Sequence, residues 1–288
     1  MSSEDGFGTA AIIGVGLLGG SIGLALKARG RCAHVIGIGR NEARLEKAVS
    51  LNAVDSFTTD IESGCRDADV IVVCTPVARI IADLPRILSA ARRDAVVTDV
   101  GSVKSAIVEA AGGDSRFIGS HPMAGSEAGG VEAARKDLFV GAAWAITPVA
   151  ATSAKAVETV RALGEAVGAV VRRLDPIDHD RAVSLVSHLP HVLATSLMLY
   201  AQSEAAGKPL LRSMSAGSFA DATRVAASSP ELWRDICLGN RDAILSAIDG
   251  LQAQLGEARR LIERADGDSI EAYFAAGADA KRSWRDVE

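Results

Sequence analysis

Gly14-Val15-Gly16-Leu17-Leu18-Gly19-Gly20-Ser21 follows a short apolar run, Thr9 to Val15, and leads into a helical pattern from Ile22 to Arg29. A second apolar run, His34 to Ile38, and a helical stretch from Asn41 to Ser50 complete a strand–turn–helix–strand unit of about thirty residues. In that context the glycines have separate jobs. Gly14 permits a tight turn, Gly16 lets the backbone approach a pyrophosphate, and Gly19 allows the helix to lie close on the strand. The N-terminus of the following helix offers free amides to the phosphates, with Leu17 and Leu18 in the loop beside them. Gly14, Gly16, Leu17, Leu18 and Gly19 are therefore expected to hold a dinucleotide.

Working outward, strand-like runs at Val70 to Cys74 and Ala95 to Asp99 alternate with helical patterns at Ile80 to Ala91 and Lys104 to Ala110. That alternation is the mark of a parallel sheet wrapped by helices. Shorter strands at Phe117 to Gly119, Trp144 to Thr147 and Ala169 to Val171, with a helix from Ser153 to Val167 between the last two, complete the sheet. Near Asp175-Pro176 the character changes. Residues 178–206, 231–265 and 268–285 read as helices, punctuated by Gly207-Lys208-Pro209 and Ser228-Ser229-Pro230. The expected fold is α/β: a Rossmann-like, doubly wound, mostly parallel sheet over residues 1–174, then an all-helical domain over residues 175–288.

The bulk numbers narrow the function. Of 288 residues, 48% are hydrophobic but only 4% aromatic, so the cores are aliphatic and rich in alanine. A balance of 31 basic against 36 acidic residues, with no run of like charge, argues against nucleic acid or an anionic membrane as partner and for a small soluble molecule. No apolar run is long enough to span a bilayer and residues 1–9 lack the pattern of a signal peptide, so a cytoplasmic protein is expected. The four cysteines share no CxxC spacing and read as reduced, packed thiols.

Chemistry gathers at the strand ends. After the second strand the sequence is Ile38-Gly39-Arg40-Asn41, with no carboxylate to take a ribose 2′-hydroxyl. Arg40 either pairs with a 2′-phosphate, which favours NADP over NAD, or is a solvent-facing residue at a helix start. Cys74-Thr75-Pro76 and Asp99-Val100-Gly101-Ser102-Val103-Lys104 each close a strand at the edge where ligands bind. Thr75, Pro76, Asp99 and Ser102 are expected to border the cofactor. Ser102 and Lys104 serve a substrate carboxylate, by a hydrogen bond and by positive charge, or merely cap the next helix. In His121-Pro122-Met123-Ala124-Gly125-Ser126-Glu127, His121 is the best candidate base, since a neutral imidazole accepts a hydroxyl proton as hydride departs.

A second cluster, Asp178-His179-Asp180 and Ser187-His188-Leu189-Pro190-His191, lies within a helical pattern that brings Ser184, His188 and His191 to one face. Pro190 should kink or restart that helix and aim His191 into a cleft. Nothing at ligand spacing joins His188 and His191 into a metal site, and none is expected. Arg224, amid small residues in Ser218-Phe219-Ala220-Asp221-Ala222-Thr223-Arg224, suits a bidentate carboxylate clamp, the alternative being a surface ion pair.

With GVGLLGGS, DVGSVK, HPMAGSE, SHLPH and ADATR in this order, residues 10–240 resemble the prephenate/arogenate dehydrogenase family of tyrosine biosynthesis. The resemblance implies oxidation of a cyclohexadienyl alcohol as carbon dioxide leaves, with NADP or NAD as hydride acceptor, in a homodimer built through the helical domain. It implies His121 as the catalytic histidine, Arg224 as the holder of a substrate carboxylate, and Ser102, Ser126, Glu127 and His191 as pocket residues, with His188 beside them. Prephenate is favoured over arogenate. An acid facing the side chain would favour the ammonium of arogenate, and Asp180, Asp221 and Glu127 are the available acids. The length leaves no room for a fused chorismate mutase or regulatory domain, so tyrosine feedback, if present, is expected at or near the active site. The rivals are a Rossmann-type hydroxyacid or imine reductase, which lacks the HPMAGSE and SHLPH pair, and a nucleotide sensor, which would have lost His121 or Arg224.

Overall fold

The computed structural model describes residues 6–126 and 128–284. Burial along its strands decides the architecture. In β1 (Phe7–Ile13), Ala10 and Ile12 belong to one apolar core and Ala11 and Ile13 to another, and all four are buried. A strand apolar on both faces needs a helical layer on each side. The chain supplies these layers as α1 (Leu17–Ala28), β2 (Cys32–Ile38), α2 (Glu42–Ser50), β3 (Ser56–Thr58), α3 (Ile61–Arg66), β4 (Val70–Val73), α4 (Val77–Ala90), β5 (Val96–Asp99) and α5 (Ser105–Ala110). It continues with β6 (Phe117–Pro122), β7 (Ala143–Thr147), α6 (Ala154–Ala166) and β8 (Val170–Arg173).

The sheet order is β3-β2-β1-β4-β5-β6-β7-β8, parallel throughout except where β7 runs against β6. One core holds Ile22 and Leu26 of α1, Ala48 of α2 and Val160 and Leu163 of α6. The other holds Cys65 of α3, Ile80 and Leu84 of α4 and Ile107 of α5. This is the expected doubly wound, mostly parallel sheet. The sequence reading omits β3 and α3, which are only 3 and 6 residues long. Polar Ser56 and Thr58 hide the strand's alternation, and the helix depends on Asp60, whose carboxylate accepts from the Glu62 and Ser63 amides. Helix α1 also begins at Leu17, five residues before the apolar pattern becomes legible.

After β8 every regular element among the described residues is helical: α7 (Pro176–Val183), a π-helical turn (Ser184–His188), α8 (Leu189–Glu204), α9 (Pro209–Ser213), α10 (Gly217–Thr223), a 3₁₀ turn (Arg224–Ala227) and α11 (Pro230–Gly239). Asp175 caps α7 by accepting from the Ile177 amide, and Pro176 occupies its first turn. The expected interruption at Pro190 takes a specific form. The helix does not stop: a π turn absorbs the change of phase, and Pro190 falls immediately after it in the first turn of α8.

The single helix expected over 231–265 is two, because Asn240 leaves helical geometry and turns its amide inward to the Asp180 carbonyl. Residues up to Arg241 make one compact unit and those from Asp242 another. The second unit consists of α12 (Arg241–Arg264) and α13 (Gly267–Ser283), the latter capped by Asp266.

By length and composition alone the run 176–204 is sufficient to cross a bilayer. Its first part is instead docked on the sheet domain, with His179 and Asp180 buried and Asp180 bonded to the Lys104 and Ser105 amides.

Candidate active site

The glycine turn sits where the sheet reverses direction of growth, between β1 and β4, the crevice that binds ligands in open parallel sheets. Gly14 has a φ of 94°, and a Cβ there would lie 2.9 Å from the Cys74 carbonyl oxygen, so a side chain is excluded on both counts. Gly19 packs directly against the Gly14 carbonyl and Ile12. At Gly16, by contrast, an added Cβ would meet only open space, and α1 begins there with no side chain capping its amides and no acid in its first turn. Across the crevice the Thr75 hydroxyl is buried without a hydrogen-bond partner. Vacant space over Gly16, uncapped amides and an orphaned hydroxyl fit the diphosphate of a dinucleotide. Arg40 is exposed at the end of β2 and has no ion pair among the described residues.

A cavity of about 450 Å³ is lined by Ser102, by His121 to Ser126, and by residues of the helical segment, among them Ser187, His191, Val225, Ser228 and Trp233. His121 comes from the C-terminal end of β6, and Ser102 from the turn after β5. The sheet thus offers one wall and the helices the other.

His121 is held by a chain of hydrogen bonds. Its Nδ1 is 2.9 Å from Nε2 of His179, whose Nδ1 is 2.9 Å from Oδ1 of Asp180. The Lys104 amide donates to the same oxygen at 2.7 Å and the Ser105 amide to Oδ2 at 2.8 Å. Burial alone would push the Asp180 carboxyl up, but the bonds from His179 and from the Ser105 and Lys104 side outweigh it and hold it below its ordinary value. An ionised carboxylate accepts, so His179 donates from Nδ1, and its Nε2 then accepts the Nδ1 proton of His121. Neutral His121 is left with its lone pair on Nε2. Burial, and then the neighbouring His179, Lys104 and His188, keep His121 well below the ordinary imidazole pKa.

Beneath the histidine lies a buried ion pair. Lys104 and Asp99 are both fully buried and bonded to each other, and Lys104 Nζ also donates to the Ser120 carbonyl at 2.8 Å. Asp99 accepts from the amides of Ser120 at 3.0 Å and Gly101 at 2.7 Å. Burial pushes the Asp99 carboxyl up and the Lys104 ammonium down, each partly offset by the other. Asp99, expected to border the cofactor, therefore spends its oxygens inside the protein, and Lys104, expected to add charge for a substrate, is committed to Asp99.

His191 donates from Nδ1 to the Ser187 carbonyl at 3.0 Å and stacks on Trp233 with ring centroids 3.9 Å apart, on the cavity wall. His188 differs from the expectation. It packs edge-on against the same Trp233 on which His191 stacks, but it is buried, absent from the cavity lining, and accepts at Nδ1 from Asn240 at 3.2 Å. Burial lowers its pKa to about 4. Ser126 lies on the rim, and its hydroxyl accepts from the Ala128 amide at 3.1 Å. Glu127 lies outside the described residues. Arg224 is exposed and opens the 3₁₀ turn whose Val225 and Ser228 line the cavity. Motif reading misses Val225, Ser228, Leu232, Ile236 and Trp233 among the lining residues; for Trp233 a lone tryptophan one turn into a Ser-Pro-capped helix was the available signal.

Comparison with known proteins supplies the context. Residues 22–173 match the prephenate dehydrogenase nucleotide-binding domain, and residues 175–276 the prephenate dehydrogenase dimerization domain. The chain is 34% identical to prephenate dehydrogenase of Bacillus subtilis, covering 94% of this chain and 74% of that one. It is 35% identical to cyclohexadienyl dehydrogenase of Zymomonas mobilis, covering 94% of each. Its fold matches the crystal structure of prephenate dehydrogenase from A. aeolicus in complex with hydroxyphenyl propionate and NAD+, with a TM-score of 0.85 and 31% identity over 97% of this chain and 99% of that one. Fold, glycine turn and histidine-walled cavity define an NAD(P)-dependent oxidoreductase with a helical domain completing its site. The chain belongs to the prephenate dehydrogenase family.

Proposed function

We propose that the chain oxidises and decarboxylates prephenate to 4-hydroxyphenylpyruvate, with residues 1–174 holding the dinucleotide and residues 175–288 completing the substrate site and a homodimer. The observation that carries this reading is His121 on the cavity wall with its Nδ1 proton committed to His179, which leaves Nε2 as an acceptor. The bound nicotinamide supplies the hydride acceptor. His121 takes the ring hydroxyl proton on Nε2 as the carbon–hydrogen pair departs, and loss of carbon dioxide makes the ring aromatic, which renders the step essentially irreversible. Ser102 and Ser126 offer hydroxyls to the substrate, His191 is held against Trp233 with Nε2 turned to act as acceptor, and Arg224 supplies the cation for a carboxylate. Gly14, Gly16 and Gly19 with the amides of Leu17 and Leu18 cradle the diphosphate, with Thr75 and Pro76 opposite.

Arogenate is the second reading, favoured by the likeness to a cyclohexadienyl dehydrogenase. It needs an acid for the substrate ammonium. Asp180 is engaged with His179 and two amides rather than turned to a substrate ammonium, which favours prephenate. Exposed Arg40 in place of an acid supports NADP over NAD.

Initial rates at 340 nm with prephenate and arogenate, each against NAD and NADP, test all of this. The largest kcat/KM is expected for prephenate with NADP; a larger value for arogenate or for NAD reverses that choice, and four blanks with folded protein reject the reaction.

A further inference from the structure

The hydrogen-bond chain behind His121 ends on a charge that the base itself lacks. Asp180 receives three hydrogen bonds on its two oxygens, from the Lys104 amide, the Ser105 amide and His179 Nδ1, so it is fixed as a carboxylate inside the protein. His179 is 1% exposed, and its two ring nitrogens are both spoken for, one by Asp180 and one by His121. Among the described residues no carboxylate bonds to His121 directly. The charged groups around it are the Lys104 ammonium, from the turn before α5 and paired with Asp99 of β5, and, through His179, the Asp180 carboxylate of α7; His188 of the π turn, bonded to Asn240, is the other titratable neighbour. A proton arriving at His121 Nε2 would leave a cation next to Lys104 and one ring away from its counter-charge.

We propose that His179 and Asp180 form a proton-holding pair: as His121 Nε2 takes the substrate's hydroxyl proton, the Nδ1 proton of His121 passes to Nε2 of His179, and the positive charge rests beside Asp180. This rests on the reading of His121 as the base. The balance is simple. The substrate O–H bond breaks and the His121 Nε2–H bond forms; the His121 Nδ1–H bond breaks and the His179 Nε2–H bond forms; Asp180 stays ionised and keeps its bond from His179 Nδ1–H. His121 ends neutral in the opposite tautomer, and the electron pair left on the substrate oxygen completes its carbonyl as hydride leaves the ring carbon. Exchange through the same two bonds in reverse restores the resting state after product leaves. His179 and Asp180 never touch the substrate, so they are positioning residues acting through His121, and their effect is to make a base in a dry, cation-flanked position strong enough for its task.

Two measurements test the pair. The first uses the substrate-free protein labelled with 15N-histidine; five histidines in the chain allow assignment by single substitutions. At neutral pH both His121 and His179 are expected as the Nδ1–H tautomer, and on acidification one proton is expected to perturb both rings together. Detection of His121 as the Nε2–H tautomer, or independent titration of the two rings, overturns the proposal whatever the reaction proves to be. The second is His179→Gln, whose amide can still accept from His121 and donate to Asp180 but holds no proton. Its kcat is expected to fall on the order of 10²-fold with KM within about threefold of wild type, and the acid limb of its kcat/KM profile should move, because one proton is no longer shared between the two rings. Wild-type kcat and an unmoved limb overturn the proposal. If His179→Gln does not fold, the wild-type spectra decide alone. Loss of the base reading itself is recognised separately, by undiminished turnover in His121→Asn.

Discussion

His121 acts through one nitrogen, which makes its substitution informative. His121→Asn should keep a hydrogen-bonding side chain on the cavity wall but remove the basic nitrogen, lowering kcat by about 10²- to 10⁴-fold with little change in KM. Steady-state rates at saturating substrate check this. Arg224 is expected to act in binding instead. Arg224→Ala should cost about 1.5 to 3 kcal/mol, the range for a charged hydrogen bond, and appear as a rise of roughly 10- to 150-fold in KM. His188 gives a third test, through stability. Its folded pKa of about 4 lies below its ordinary 6.5, so between those values the unfolded chain carries a proton that the folded chain refuses. Stability is therefore full above pH 6.5 and declines as pH falls towards 4, by about 3 kcal/mol from this buried ring. Burial lowers His121 too, which acts in the same direction. Urea unfolding at pH 7.5 and 4.5 should show the loss, and His188→Gln should show a smaller one; equal losses would place its source elsewhere.

The glycine turn separates folding from binding within one element. A Cβ at Gly19 meets the Gly14 carbonyl and Ile12, so Gly19→Ala must push α1 off β1 and should lower Tm. A Cβ at Gly16 meets nothing in the protein, so Gly16→Ala should leave the melting temperature of the free protein within about 2 °C while weakening dinucleotide affinity by tenfold or more. Thermal melts with and without NADP check both variants. This turn was legible in the sequence because its function is local: three glycines at fixed offsets state both the fold and the ligand. His121, Ser102 and His191 were legible for a related reason, each standing in a compact motif at a strand or helix end. What could not be read was set by tertiary partners. Asp180 looked like an acid available to substrate, yet it is bound by the amides of Lys104 and Ser105, more than seventy residues away in the chain. Asp99 and Lys104 looked like ligands and are each other's partner. The phase of His188 depended on a π turn that helical spacing does not foresee, and β3 was too short for alternation to register.

The apolar surface of the helical segment bears on assembly. Helix α8 leaves Leu193, Met198, Leu199 and Tyr200 exposed, and Leu210, Leu211 and Met214 follow on and after α9. Single exposed apolar side chains are ordinary, but a succession along one helix and its successor suits an interface, as the match of residues 175–276 to a dimerization domain also suggests. A stable dimer buries roughly 1,200 to 2,000 Å² in all, which a helical face of this kind can supply. Sedimentation at micromolar concentration in the absence of detergent is accordingly expected to give about twice the 29.8 kDa chain mass. Replacing Met198 and Leu199 together by glutamate should shift the species to monomer, since two carboxylates cannot be buried unpaired. The same variant also asks what the assembly is for. The glycine turn belongs to the sheet domain, so NADP affinity should survive dissociation within about twofold; KM for the ring substrate should rise, because His191 reaches the cavity wall from the first turn of α8, which loses its outer support. A wild-type monomer, or a glutamate variant that remains dimeric, would assign the exposed α8 face some role other than self-association.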